Sequence, residues 1–175
     1  MAPEITWHIA TLSKCATPAL RIAYVAAPDA ARAARLAAVI RAVNLMVPPI
    51  NAALASRWIA TGILDDLTIA IRDENIARQK IAKAALGDAQ IAADKCGSHL
   101  WMRLPPQWRA ADFVQHAGRS GISVVPASVF AIGAAEPEAL RLSLGVAPDR
   151  DALLGALKQL AYLLSQPSGA AKAIV

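Results

Sequence analysis

The spacing of apolar and polar positions changes several times along the chain, and each change predicts an element. Ile5–Ala10 is a short β-prone run. A second run, Ile22-Ala23-Tyr24-Val25, is apolar and bounded, which predicts a buried strand with Tyr24 packed in the core. Thr17 and Pro18 break the chain ahead of it and leave residues 11–17 on the loop that feeds it. Pro28 and Asp29 open a helix, since Pro suits the first turn and Asp suits a cap. Its apolar face carries Leu36, Val39, Ile40 and Val43, with Arg32, Arg35 and Arg41 turned away. Pro48-Pro49 ends it, and a second helix is expected over Asn51–Thr61, with Leu54 and Trp58 on one face. After Gly62 comes the most helical stretch, Leu64–Leu86, with Asp65 and Asp66 at its start and Gly87 just past its end. Leu67, Ile71, Glu74, Ala77, Ile81 and Ala84 form one stripe, with Glu74 its odd member and Arg72, Arg78 and Lys83 elsewhere.

Beyond residue 87 strands and helices alternate. Strands are expected at His99–Leu104, Ile122–Val125 and Leu140–Leu144. A short helix fits Ala110–Arg119, and Pro126–Gly133 reads as a loop carrying Phe130. Pro148-Asp149 caps a final helix with Leu153, Leu154, Leu157, Leu160 and Leu164 on one face. The tail QPSGAAKAIV is expected to be weakly structured. Strands covered by a few helices make an α/β layer domain. The expected division is 1–87 and 88–175.

Composition narrows the function classes. A chain of 175 residues that is 56% hydrophobic can bury a core and is not a disordered segment. The longest uncharged runs, Ala42–Ser56 and Ser120–Ala135, are interrupted by Pro, Asn or Gly and are not membrane spans. Glu4, Trp7 and His8 stand where a signal peptide needs clean apolar residues. The two cysteines make no disulfide framework, so reduced thiols and a cytoplasmic location are expected. The net charge of +5 comes from single arginines without a basic run, which reads as a solvated surface and not a nucleic-acid stripe. Cys96 and His99 lack a second ligand pair, so no metal site is expected. Trp101 and Trp108 read as core and cap aromatics.

The candidate chemistry lies in TLSKCATPALRIAYV, residues 11–25. Lys14 follows the hydroxyls of Thr11 and Ser13, and Arg21 comes seven residues later. A lysine amine can form an imine with an aldehyde, and Arg with Ser or Thr can grip a phosphate. By itself a loop lysine is ordinarily a solvated group.

What singles Lys14 out is a resemblance. SKCATPALRIAYVAAP resembles the lysine segment of fold-type I aminotransferases that use pyridoxal phosphate (PLP), above all the aminotransferase-like domain of MocR/GntR-type bacterial transcription regulators. SHLWMRLP, GISVVPASVF and ALRLSLG are similar to successive landmarks of the small domain of that family. The resemblance runs from about Trp7 to Leu164. It implies that Lys14 is the imine lysine and moves the substrate α-proton. Arg21 is then a phosphate ligand, with Ser13 and Thr11 as hydroxyl partners, and Arg141 receives the substrate carboxylate. Ala19, Ala23 and Ala127 stand where the family has Gly.

The implied fold is the C-terminal part of a fold-type I transferase: the end of the large domain with its bridging helix, then the small α/β domain. The family keeps a Gly-containing phosphate loop, a ring-stacking aromatic and an Asn and Asp upstream of the lysine, and thirteen residues precede Lys14. A C-terminal half, inactive as an aminotransferase on its own, is therefore expected. The implied cofactor is PLP. The implied partners are an amino acid or related carboxylate, a second copy of the chain, and DNA only through a domain outside this sequence. The wording PALRIAYVAAP and HLWMRLP leans toward an effector-sensing regulator domain. The alternatives are an aminotransferase working on an amino acid/2-oxo acid pair and an inactive scaffold with bare apolar surface.

Overall fold

The structure, a computed structural model, describes residues 2–133 and 137–167. The expectation for the tail therefore lies outside the described residues beyond Pro167. The chain divides into two compact units, Met1–Ile71 and Arg72–Val175.

The first unit holds β1 (His8–Thr11) and β2 (Ala23–Ala26), an antiparallel pair with Thr11 opposite Ala23. The strand expected at Ile5 thus begins later and takes in Thr11. Helix α1 (Ala30–Asn44) starts where Asp29 accepts a hydrogen bond from the Arg32 N–H at 2.7 Å, the cap that Pro28-Asp29 predicts. Helix α2 (Pro49–Ala60) begins with Pro at its first position, and α3 (Ile63–Leu86) carries Asp65 and Asp66 in its first turn. The core of this unit is small: Leu12, Leu20, Ile22 and Ala55, with Ala52, Trp58 and Leu64 against them. Two expectations fail here. Only Ile22 of the predicted buried strand is buried, whereas Tyr24 is 44% exposed. A two-stranded sheet has no interior strand, and among the described residues no layer covers β2. The apolar face of α1 is likewise open, with no residue of the helix buried.

The second unit is a four-stranded antiparallel sheet in the order β3-β4-β6-β5. Its strands are β3 (Ile91–Ala92), β4 (His99–Arg103), β5 (Val125–Pro126) and β6 (Ala139–Ser143), joined by α4 (Ala110–Arg119) and followed by α5 (Arg150–Ser165). Ala127–Phe130 is a 3-10 turn. Strand alternation sorts the faces. Leu100, Met102, Leu140 and Leu142 point into a core completed by Phe113 and Ala117 of α4 and Leu153, Leu157 and Leu160 of α5. Burying one such side chain stabilises by about 2 kcal/mol. Trp101, Arg103 and Arg141 occupy the opposite face. Trp101 is 37% exposed, so the core role expected for it belongs to Trp108 alone.

The last part of α3 joins this core through Ala82 and Leu86. The buried line is Arg78-Ala82-Leu86, one position away from the predicted stripe, and Ala84 is exposed. Among the described residues no helix is long and apolar enough to cross a membrane.

Candidate functional site

Lys14 sits on the loop between β1 and β2. The loop is closed by the Leu12 N–H donating to the Ile22 carbonyl at 3.2 Å. The N–H groups of Ala16 and Thr17 both donate to the Leu12 carbonyl at 3.0 Å. Thr17 Oγ1 accepts from the Ala19 N–H and opens a 3-10 turn over Pro18–Leu20. The helices hold this loop from outside. Asn51 Nδ2 of α2 donates to the Leu20 carbonyl at 3.0 Å, and Thr68 Oγ1 of α3 donates to the Cys15 carbonyl at 3.2 Å.

Arg21 ends the turn in the left-handed region, at φ 52 and ψ 39. That conformation costs a residue other than Gly about 1–2 kcal/mol. It is held while Leu20 and Ile22 on either side are buried. Ala19, Ala23 and Ala127 do not have positive φ, so glycine's freedom is not required where the family pattern has Gly. Lys14 and Arg21 are exposed, and among the described residues neither side chain makes a hydrogen bond or ion pair. Thr11 Oγ1 accepts from the Ser13 N–H at 3.2 Å, and its hydroxyl hydrogen stays available. The loop and the adjoining end of β1 therefore carry an amine, a guanidinium and two hydroxyls. That donor set fits a phosphate-bearing aldehyde: a planar fork for the phosphate, an amine for the carbonyl carbon.

Arg141 lies on β6 of the second unit, whereas the other four predicted site residues lie in the first. Its guanidinium carbon stands 4.6 Å from the centre of the Phe130 ring, a cation–π arrangement. Phe130 meets Trp101 edge to face, with ring centres 5.3 Å apart. Trp101 pairs with Arg141 across the strands. Among the described residues the buried Arg141 Nε atom has no hydrogen-bond partner. An arginine held flat by an aromatic, with an unused donor, suits a carboxylate.

Sequence reasoning missed the Phe130–Arg141–Trp101 cluster, because its members are far apart in the chain. It also misplaced Arg78, which is buried, at 8% exposure. Arg78 Nη1 donates to the carbonyls of Leu144 and Ala147, both at 2.8 Å, and Nε donates to Glu74 at 2.6 Å. Glu74 also accepts from Arg150 at 2.7 Å. The hydrogen bond from Arg150, followed by that from Arg78, lowers the Glu74 carboxyl from its ordinary 4.5 to about 2. The network clamps the chain where it leaves β6, the strand that carries Arg141. The readable signal was the Glu74/Arg78 spacing of four, one turn apart on a helix.

Comparison with known proteins gives the chain its relatives. No family model matches it. It is 31% identical over 144 residues to YdeF of Bacillus subtilis strain 168, named as an uncharacterized HTH-type transcriptional regulator. The match covers 82% of this chain and 31% of that protein. Among solved structures, the kynurenine aminotransferase of Pyrococcus horikoshii, in complex with PMP, superposes with a TM-score of 0.79 at 20% identity. That match covers 90% of this chain and 40% of the aminotransferase. LysN of Thermus thermophilus, an α-aminoadipate aminotransferase complexed with N-(5'-phosphopyridoxyl)-L-leucine, gives a TM-score of 0.77 at 21% identity, covering 90% and 41%. The expected fold is thus found: the α/β fold of fold-type I aminotransferases, over about two-fifths of the length of those enzymes. The expected kinship with a helix-turn-helix regulator is found as well.

Proposed function

We propose that this chain, built on the aminotransferase fold and similar to a helix-turn-helix transcriptional regulator, is the PLP-binding, effector-sensing part of a longer MocR/GntR-type regulator. The observation that supports this most is the regulator match across 82% of a chain whose fold is that of aminotransferases. In this reading Lys14 Nζ bonds the cofactor and serves as the proton carrier. Arg21 grips the phosphate through two parallel N–H groups, and Ser13 and Thr11 add hydroxyl donors. Arg141, held over Phe130, orients the carboxylate of an amino acid or related effector. PLP, when bound, supplies an aldehyde for the lysine and an electron sink. DNA contact belongs to another part of the longer protein, which places the whole in the cytoplasm. The open apolar face of α1 supports a homodimer. A second reading, part of an amino acid aminotransferase, draws on the enzymes among the structural neighbours.

The test is a PLP titration followed by borohydride reduction and peptide mass mapping, with Lys14→Ala as control. The expected outcome is a pyridoxyl adduct confined to the peptide with Lys14 and lost in the variant. Adducts spread over surface lysines, unchanged in Lys14→Ala, would overturn the assignment.

A further inference from the structure

The outer face of the second unit's sheet holds a cavity of about 680 Å³ that the Lys14 reading does not use. Its size falls within the range of small-molecule pockets, roughly 300–1,000 Å³. Trp101 and Phe130 form one corner, their ring planes at 78°. Ile91 and Ala127 add apolar wall, and Gln90 and Arg103 add the polar groups. Both corner aromatics are left open, Trp101 at 37% and Phe130 at 45%, whereas Trp108 and Phe113 of the same unit are at 3% and 0% and Tyr162 on α5 is exposed at 65%.

The polar side of the cavity points to one ligand charge. The Arg103 backbone is fixed, because its N–H donates to the Gln90 carbonyl at 2.9 Å. Its guanidinium, by contrast, makes no ion pair or hydrogen bond among the described residues. Among those residues no carboxylate lines the cavity, and Arg103 is the only formal charge on its wall. Arg141 is engaged with Phe130 and is not part of the lining.

We propose that this cavity binds a small aromatic carboxylate, its ring in the Trp101–Phe130 corner and its carboxylate on Arg103. Edge and face of two rings at a near right angle favour a third ring. A guanidinium without a partner takes a carboxylate through two parallel hydrogen bonds. The site does not depend on PLP or on Arg141.

The experiment titrates the 175-residue chain, labelled with ¹⁵N, with 3-phenylpropionate and follows the four tryptophan indole N–H signals. Trp101→Phe assigns the Trp101 signal. 3-Phenylpropanol and acetate serve as controls for ring and charge. The expected result is a saturable shift of the Trp101 signal, with the acid binding at least tenfold more tightly than the alcohol. Arg103→Gln removes that preference, and Arg141→Met, which keeps an apolar chain over Phe130, leaves it in place. Ala131→Leu, on the wall, weakens acid and alcohol alike. An unmoved Trp101 signal, equal binding of acid and alcohol, or loss of the preference in Arg141→Met alone would each overturn the proposal. The last would move the carboxylate to Arg141, and none of the three bears on Lys14.

Discussion

The two units use apolar residues in opposite ways. In the second, Phe113, Leu100, Met102 and Leu140 are closed off completely by a sheet and three helices. In the first, Val43 is 75%, Leu45 70% and Ile50 82% exposed, while the core is limited to a few side chains around the Lys14 loop. Apolar positions recur at helical spacing in α1 and in α5 alike. Periodicity reports which face of a helix is apolar; it does not report whether anything within the same chain covers that face.

The largest test of this contrast is a pair of truncations. Phe113→Ala should destabilise the second unit by about 3–5 kcal/mol, the range for emptying a filled aromatic site. Val43→Ala should stay within about 0.5 kcal/mol. Urea unfolding of both variants decides it, and comparable losses would mean that α1 is covered in solution. A smaller effect is expected from Arg78→Met, which leaves the Leu144 and Ala147 carbonyls without their donor. The loss should be about 2 kcal/mol, and amide hydrogen exchange should rise first around residues 144–147. Smallest is the pH effect of Glu74. Its folded carboxyl titrates near 2, below its ordinary 4.5, so its contribution is complete above about 4.5 and is lost as the pH falls toward 2. The urea midpoint should drop less steeply over that window in Glu74→Gln than in the parent chain.

Much of the fold was legible because local signals and tertiary structure agree. Asp29 and Asp149 cap their helices as Pro28-Asp29 and Pro148-Asp149 predict, and α4 runs Ala110–Arg119 as its pattern requires. On α5, Leu153, Leu157 and Leu160 are buried and Leu164 packs against the core. Strand edges were less legible. β5 begins at Val125 and not at Ile122, and the two-residue β3 offers too little pattern to be read. Tyr24 and Trp101 were misread for one reason: a β-prone aromatic is equally at home on an open sheet face and on a covered one. On the site side, Ser13, Lys14 and Arg21 lie on the loop between β1 and β2, with Thr11 at the end of β1, and the break at Thr17-Pro18 already placed residues 11–17 ahead of a strand. Arg78 was misplaced because a helical stripe scores charge as outward. A guanidinium with three acceptors around it can face inward.

The left-handed backbone at Arg21 sets two selections against each other. A library of variants at this position, sorted only for folding, should enrich Gly and Asn, which occupy that region most readily. If Arg21 grips the phosphate as proposed, the same library sorted for retention of a phosphorylated ligand should keep arginine and discard both. In that reading, position 21 is where folding and binding favour different residues.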